Sequence, residues 1–177
     1  MKAKTSEIIE AFFGTLAFLF VLLPIFLILI PYYIVSSPNH ILIFDIGAFR
    51  YFGLGSIALG VAIYFWCSYN FVFFGKGTPI HAMPPKELVV RGLYRFVRNP
   101  MYIAGCLVLA GEALLFQSKE LLIYFLVMFG VFNIFILAVE ERELSNTFGE
   151  SYQRYRKSVR RWIPRLKPYK DNNSESE

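Results

Sequence analysis

The chain has little of what metal and redox sites are built from: two cysteines and two histidines in 177 residues. Cys67 and Cys106 both fall inside long apolar runs, where cysteine behaves as a small apolar residue. They imply neither a disulfide nor a metal pair. No His, Cys or carboxylate spacing matches a metal-ligand pattern. His81 precedes Pro84-Pro85 and reads as a loop residue, and His40 lies in another loop. Gly75-Lys76-Gly77 is a lone glycine pair with no strand or helix around it, too little for a phosphate cradle. Repeats, low-complexity segments and an interdomain linker are also missing. Residues 36–47 hold no Lys or Arg, and residues 117–120 hold only Lys119.

What is present is apolar surface. Hydrophobic residues make up 56% and aromatics 18%, with mean hydropathy +0.48. That excess over a soluble domain predicts an all-α integral membrane protein. Four spans are readable: residues 11–35, kinked at Pro24, then 48–74, 100–116 and 121–139. Gly53, Gly55 and Gly60 in the second span are placed for close helix contact. The third span is short, so its ends belong among headgroups. Residues 1–170 read as one domain, and residues 171–177, with nothing to bury, are expected to be disordered.

The net charge is +5, but the basic residues adjoin apolar spans. Anionic lipid headgroups, not nucleic acid, are therefore the expected partner. Lys76, Lys86, Arg91, Arg95 and Arg98 crowd the loop before the third span, and nine further Lys or Arg follow Val139. The positive-inside rule then places both termini and residues 75–99 in the cytoplasm. The N-terminal apolar stretch is too long for a cleavable signal and lacks a small-residue cleavage site. Beyond the fourth span Leu144, Phe148, Tyr152, Tyr155 and Val159 recur at helical spacing. This predicts an amphipathic interfacial helix with its apolar side to lipid, bent or broken at Gly149.

Polar residues concentrate in two places. Arg98-Asn99-Pro100-Met101-Tyr102 opens the third span and Glu140-Glu141 closes the fourth. With the turn at Ser118-Lys119, antiparallel helices pair positions summing to about 237, so Glu140 falls opposite Val97. Both clusters then share one membrane face, where such polarity is costly and usually functional. Asn99-Pro100 suits a helix N-cap and first position. The same helix end offers free N–H groups to a carboxylate. Tyr102 reads either as an interfacial belt aromatic or as part of that site. Acids at a helix C-terminus oppose the dipole, so Glu140 and Glu141 call for a compensating cation. Glu112 lies on the far side from both clusters, and Asn133 reads as a helix-to-helix hydrogen bond.

Residues 88–102, with Arg91, Gly92, Tyr94 and the Arg-Asn-Pro-Met-Tyr run, resemble the signature of the isoprenylcysteine carboxyl and phospholipid methyltransferase superfamily. Glu140-Glu141, Phe148-Gly149, Tyr152, Tyr155 and Ile163-Pro164-Arg165 continue that resemblance, which covers residues 75–165. It implies a membrane methyltransferase using S-adenosylmethionine. By position it implies cofactor contacts at Lys86, Glu87, Leu88, Val89, Tyr94, Asn99, Pro100, Met101, Tyr102 and Glu140. Glu140, Glu141 and Tyr102 are the candidates for catalysis, either acid serving to take a proton from an amine acceptor. Two positions depart from the isoprenylcysteine enzymes: Asn99 replaces their His, and Ile136 stands where they place a substrate-binding Arg. Asn-Pro-Met-Tyr is similar to phosphatidylethanolamine methyltransferases, so a lipid amine is the favoured acceptor. Two other classes compete: a sterol-reductase-type enzyme using NADPH, whose C-terminal hairpin is distantly similar, and a non-enzymatic membrane adaptor or transporter.

Overall fold

The computed structural model describes residues 24–37, 46–70, 88 and 90–170. Every regular element among them is helical. Helix α1 covers Ile25–Val35, and α2 covers Phe52–Asn70, led in by a 3-10 turn at Gly47–Tyr51. Helix α3 is Pro100–Leu115 and α4 is Lys119–Phe135. A π turn, Ile136–Glu140, joins α4 to α5, Glu141–Ser158. Residues 11–23 of the first expected span, residues 71–74 of the second, and the tail 171–177 lie outside the described residues.

Helix α1 begins with a π turn, Ile25–Leu29, directly after Pro24. Pro31 has no N–H to return to Leu27, which leaves that stretch of the backbone ladder incomplete. The α3–α4 turn falls where expected. Gln117 takes a positive φ of 53°, and Ser118 then restarts the helix by accepting from the Leu121 N–H at 3.2 Å. The antiparallel register also holds: Gly105 faces the Phe132 ring, and Leu109 shares a cluster with Met128, Val108 and Leu27.

The most extensive pairing is between α2 and α3. A Cβ at Gly53 would collide with the Gly111 carbonyl, and one at Gly111 would stand 2.7 Å from the Gly53 carbonyl. Gly60 has the same relation to Ala104 at 2.7 Å, while Gly55 faces open space. Two of the three expected glycines therefore let the backbones touch, and Ser56 Oγ locks the contact by donating to Leu107 O at 2.7 Å.

Among the described residues, two helical stretches are long and apolar enough to cross a membrane, Gly47–Asn70 and Lys119–Ser158. Only 28% and 11% of their apolar windows are buried within the chain. A soluble core helix would be mostly covered; these instead expose Phe65, Trp66, Leu126, Val127 and Ile134. The other two apolar helices, Ile25–Val35 and Pro100–Leu115, are shorter.

Helix α5 is amphipathic as expected, and Gly149 interrupts it with φ 51° and ψ −124°. Its apolar face does not point to lipid. Tyr152, Tyr155 and Val159 are buried, packed by Leu88, Val90, Leu144, Phe148 and Tyr169 of the same chain. The reason is polar: a buried tyrosine needs a partner for its hydroxyl, and Tyr155 finds one in the Tyr94 carbonyl at 2.6 Å. Beyond α5 the chain doubles back along the signature loop. Arg98 N–H donates to Arg160 O, Arg165 N–H to Phe96 O and Tyr169 N–H to Arg95 O, each at 2.9 Å. Trp162 docks on α4, donating from Nε1 to Asn133 Oδ1 at 2.9 Å and packing on Phe129. Asn133 thus serves the C-terminal segment rather than a neighbouring span.

Candidate active site

The site grows from the entry to α3. Gly92 has a φ of 53°, and a Cβ there would sit 2.9 Å from Trp66 Nε1. Only glycine lets the loop press this closely on the end of α2. The 3-10 turn Gly92–Arg95 that follows buries Tyr94 beside Cys67, with Met101 packed against both. Pro100 occupies the first turn of α3 and is fully buried.

Asn99 does not cap that helix. Its φ and ψ are −120° and 57°, and its side chain accepts no hydrogen bond from the first turn. The residue is 9% exposed, and its amide nitrogen has no hydrogen-bond partner among the described residues. A buried donor left unmade is expensive, so this amide is directed at something other than its own helix.

Glu140 and Glu141 do not end a helix. The backbone continues through the π turn into α5, so the expected conflict with a C-terminal dipole does not arise. The π turn, closed by the Glu141 N–H on Ile136 O, instead turns the two acids off the face a regular α-helix would give them. They acquire different surroundings. Glu140 is half-buried beside Tyr102, with a side-chain hydrogen bond between them, and its charge also reaches Tyr94 and Tyr152. Tyr102 is held from behind by an edge contact with Phe132 at 5.3 Å. Glu141 is 5% exposed and ringed by arginines. Its Oε1 accepts from Arg98 at 3.0 Å and from Arg161 Nη2 and Nε at 2.7 and 3.1 Å; its Oε2 meets Arg156 at 3.2 Å. This carboxylate is saturated.

Among the sequence candidates, Tyr94, Asn99, Pro100, Met101, Tyr102, Glu140 and Glu141 converge at the junction of α3 with the π turn. Leu88 belongs to the apolar cluster under α5, next to the loop that carries Tyr94. Lys86, Glu87 and Val89 lie outside the described residues. Glu112 sits farther along α3, where its charge reaches Tyr124. Residues that sequence reasoning passed over are Arg156 and Arg161, which count there only among the basic residues after Val139. The available signal was the adjacency of Arg156 to Tyr155 in the apolar stripe; Arg161 lies beyond the end of α5 at Ser158, where helical spacing carries no information.

Burial pushes the Tyr94 and Tyr155 hydroxyls above the usual tyrosine range, so both stay protonated donors. The site thus offers a half-buried carboxylate braced by a phenol, an unpaired amide and an uncapped helix N-terminus. This set suits a ligand carrying both a carboxylate and a cationic centre. No cluster of three potential metal ligands occurs among the described residues.

No solved structure matches the chain. A 78-residue stretch is 37% identical to the protein-S-isoprenylcysteine O-methyltransferase of Schizosaccharomyces pombe, covering 44% of this chain and 33% of that protein. The match therefore spans about a third of that relative's length. The model of the phospholipid methyltransferase family matches residues 49–151, from the lead-in to α2 to beyond Gly149, with both polar clusters inside. The chain belongs to the phospholipid methyltransferase family.

Proposed function

We propose that this chain is an integral-membrane methyltransferase that uses S-adenosylmethionine and modifies a lipid-like acceptor, a phospholipid amine in preference to an isoprenylcysteine carboxylate. The observation that carries the reading is the meeting of Tyr102 and Glu140, 38 positions apart, one turn along α3 from the buried Asn99 amide, which has no partner among the described residues. Bound here, the cofactor supplies an electrophilic methyl group on a sulfonium centre. Asn99 and the α3 N-terminus hold its carboxylate, and Pro100, Met101 and Tyr94 form the wall behind them.

Glu140 has two tasks. Its charge favours a cationic ligand nearby, and it accepts the proton that an ammonium acceptor must lose before it can attack. Tyr102 orients that carboxylate through their hydrogen bond. Glu141, saturated by guanidinium groups, positions the π turn rather than taking a proton. The remaining contribution is geometric: donor and acceptor are aligned and water is kept out. The membrane supplies the acceptor from the side, through the exposed apolar faces of α2 and α4.

The preference for an amine rests on charge and on Ile136. That residue is 1% exposed and presents no guanidinium to a carboxylate substrate, whereas Glu140 attracts an ammonium and repels a carboxylate. In vesicles holding both phosphatidylethanolamine and a farnesylcysteine analogue, labelled methyl groups are expected on the lipid amine. Label found only as a base-labile methyl ester would reverse the preference. Titration of the detergent-purified protein with S-adenosylmethionine and NADPH separates transferase from reductase; saturable binding of NADPH alone would overturn the transferase.

A further inference from the structure

The ring of arginines around Glu141 holds more positive charge than one carboxylate balances. Arg98, Arg156 and Arg161 bring three guanidinium groups to a single anion. One would suffice to tie α5 to the loop before α3; the other two leave a surplus that repels itself in a partly desolvated site. Three further observations give the surplus a direction. Arg98 is 10% exposed, and its Nε is buried with no hydrogen-bond partner among the described residues. Arg156 is 43% exposed and Arg161 21%, so the ring is open on their side. Tyr152 links the ring to both acids: its hydroxyl is 3.4 Å from Arg98 Nη1, and the charges of Glu140 and Glu141 both reach it.

Adjacent residues thus present opposite poles, Glu140 an anionic one and the arginine ring a cationic one. A headgroup with an ammonium two carbons from a phosphodiester has the complementary arrangement, and guanidinium forks match phosphate oxygens. We propose that Arg98, Arg156 and Arg161 form an anion subsite that takes the phosphodiester of an amino-phospholipid headgroup, directing its amine to Glu140. This inference rests on the methyl-transfer reading and adds to it the group by which the acceptor is gripped.

The test uses the whole purified protein in detergent and reads binding without turnover. Short-chain phosphatidylethanolamine, a long-chain primary amine lacking phosphate, S-adenosylmethionine and inorganic phosphate are titrated separately by calorimetry. Arg156→Gln is the informative variant, because Arg98 and Arg161 still hold Glu141 and keep the fold. The dissociation constant for the phospholipid is expected to rise about tenfold, the loss of one charge-assisted contact. That for the phosphate-free amine stays within twofold. Arg156→Lys, which keeps charge but loses the fork, falls between. Arg154→Gln, on an exposed pair with Glu150, changes neither.

Phospholipid affinity indifferent to Arg156 overturns the subsite. So does a loss confined to S-adenosylmethionine, which would give the ring to the cofactor carboxylate, or inorganic phosphate binding as tightly as the lipid. Arg156-dependent lipid binding without any methyl transfer would keep the subsite and sink the transferase. Methyl transfer to both acceptors, untouched by Arg156→Gln, would do the reverse.

Discussion

Glu140 and Glu141 are neighbours in sequence with opposite fates, and substitutions should separate them. Glu140→Gln and Tyr102→Phe remove a charge and a hydrogen bond from the proposed cofactor pocket while leaving helix packing in place. Each is expected to weaken S-adenosylmethionine binding, Glu140→Gln by about ten- to a hundredfold and Tyr102→Phe by less, measured by titration in detergent. Glu112→Gln, away from the cluster, should leave that affinity within about twofold; an equal loss there would mean that the pocket is misplaced. Glu141→Gln should act on stability instead. It strips the balancing charge from three arginines, a loss of about 3 kcal/mol, visible as a lower melting temperature. Burial of Tyr94 and Tyr155 adds a pH dependence. Their raised values mean the folded chain keeps protons that the unfolded chain loses. Their stabilisation is thus full below the ordinary tyrosine value of about 10 and falls as pH rises above it. Near-ultraviolet dichroism should show the packing of α5 loosening there, and less so in Tyr155→Phe.

Between helices, α2 and α3 approach closely enough at Gly53, Gly60 and Gly111 for their backbones to touch. Gly53→Ala places a methyl against the Gly111 carbonyl and forces the pair apart, at a cost of about 1–3 kcal/mol. Gly55→Ala meets nothing within 4 Å and should be neutral. Thermal melts of the two variants followed by helical dichroism check this; equal melting temperatures would contradict the close approach. Composition and spacing pointed to all three glycines without ranking them, because only the rotation of α2 against α3 decides which ones face inward. The π turn was also hidden. Ile136–Glu140 is an unremarkable apolar run ending in an acid, and the wide turn becomes visible only where Glu141 meets its arginines.

For the whole molecule, the asymmetry of Lys and Arg remains the basis for orientation, and we propose that residues 75–99 and the C-terminal segment share the cytoplasmic face. A cysteine introduced by His40→Cys should react with an impermeant reagent from the opposite side to one introduced by Lys167→Cys. Labelling of both from one side would defeat the four-span arrangement. The same arrangement sets where the pocket lies, since Arg98, Glu141 and the segment 159–170 are tied together at one end of the α3–α4 hairpin.

Periodicity, apolar length and turn chemistry by themselves determined the helical class, the hairpin register, the break at Gly149 and the pairing of the two polar clusters. These are legible because each depends on local spacing: a helix repeats every 3.6 residues, and a short turn leaves one antiparallel register. Tertiary structure alone decided the rest. Asn99 read as a cap and is a buried amide without a partner among the described residues; Tyr152 and Tyr155 read as facing lipid and pack on the chain's own loop. Arg156 and Arg161 count in the sequence only toward the positive charge after Val139, and in the fold they close on Glu141. A side chain's partner depends on which segment returns to it across tens of residues, and a one-dimensional pattern carries no such distance.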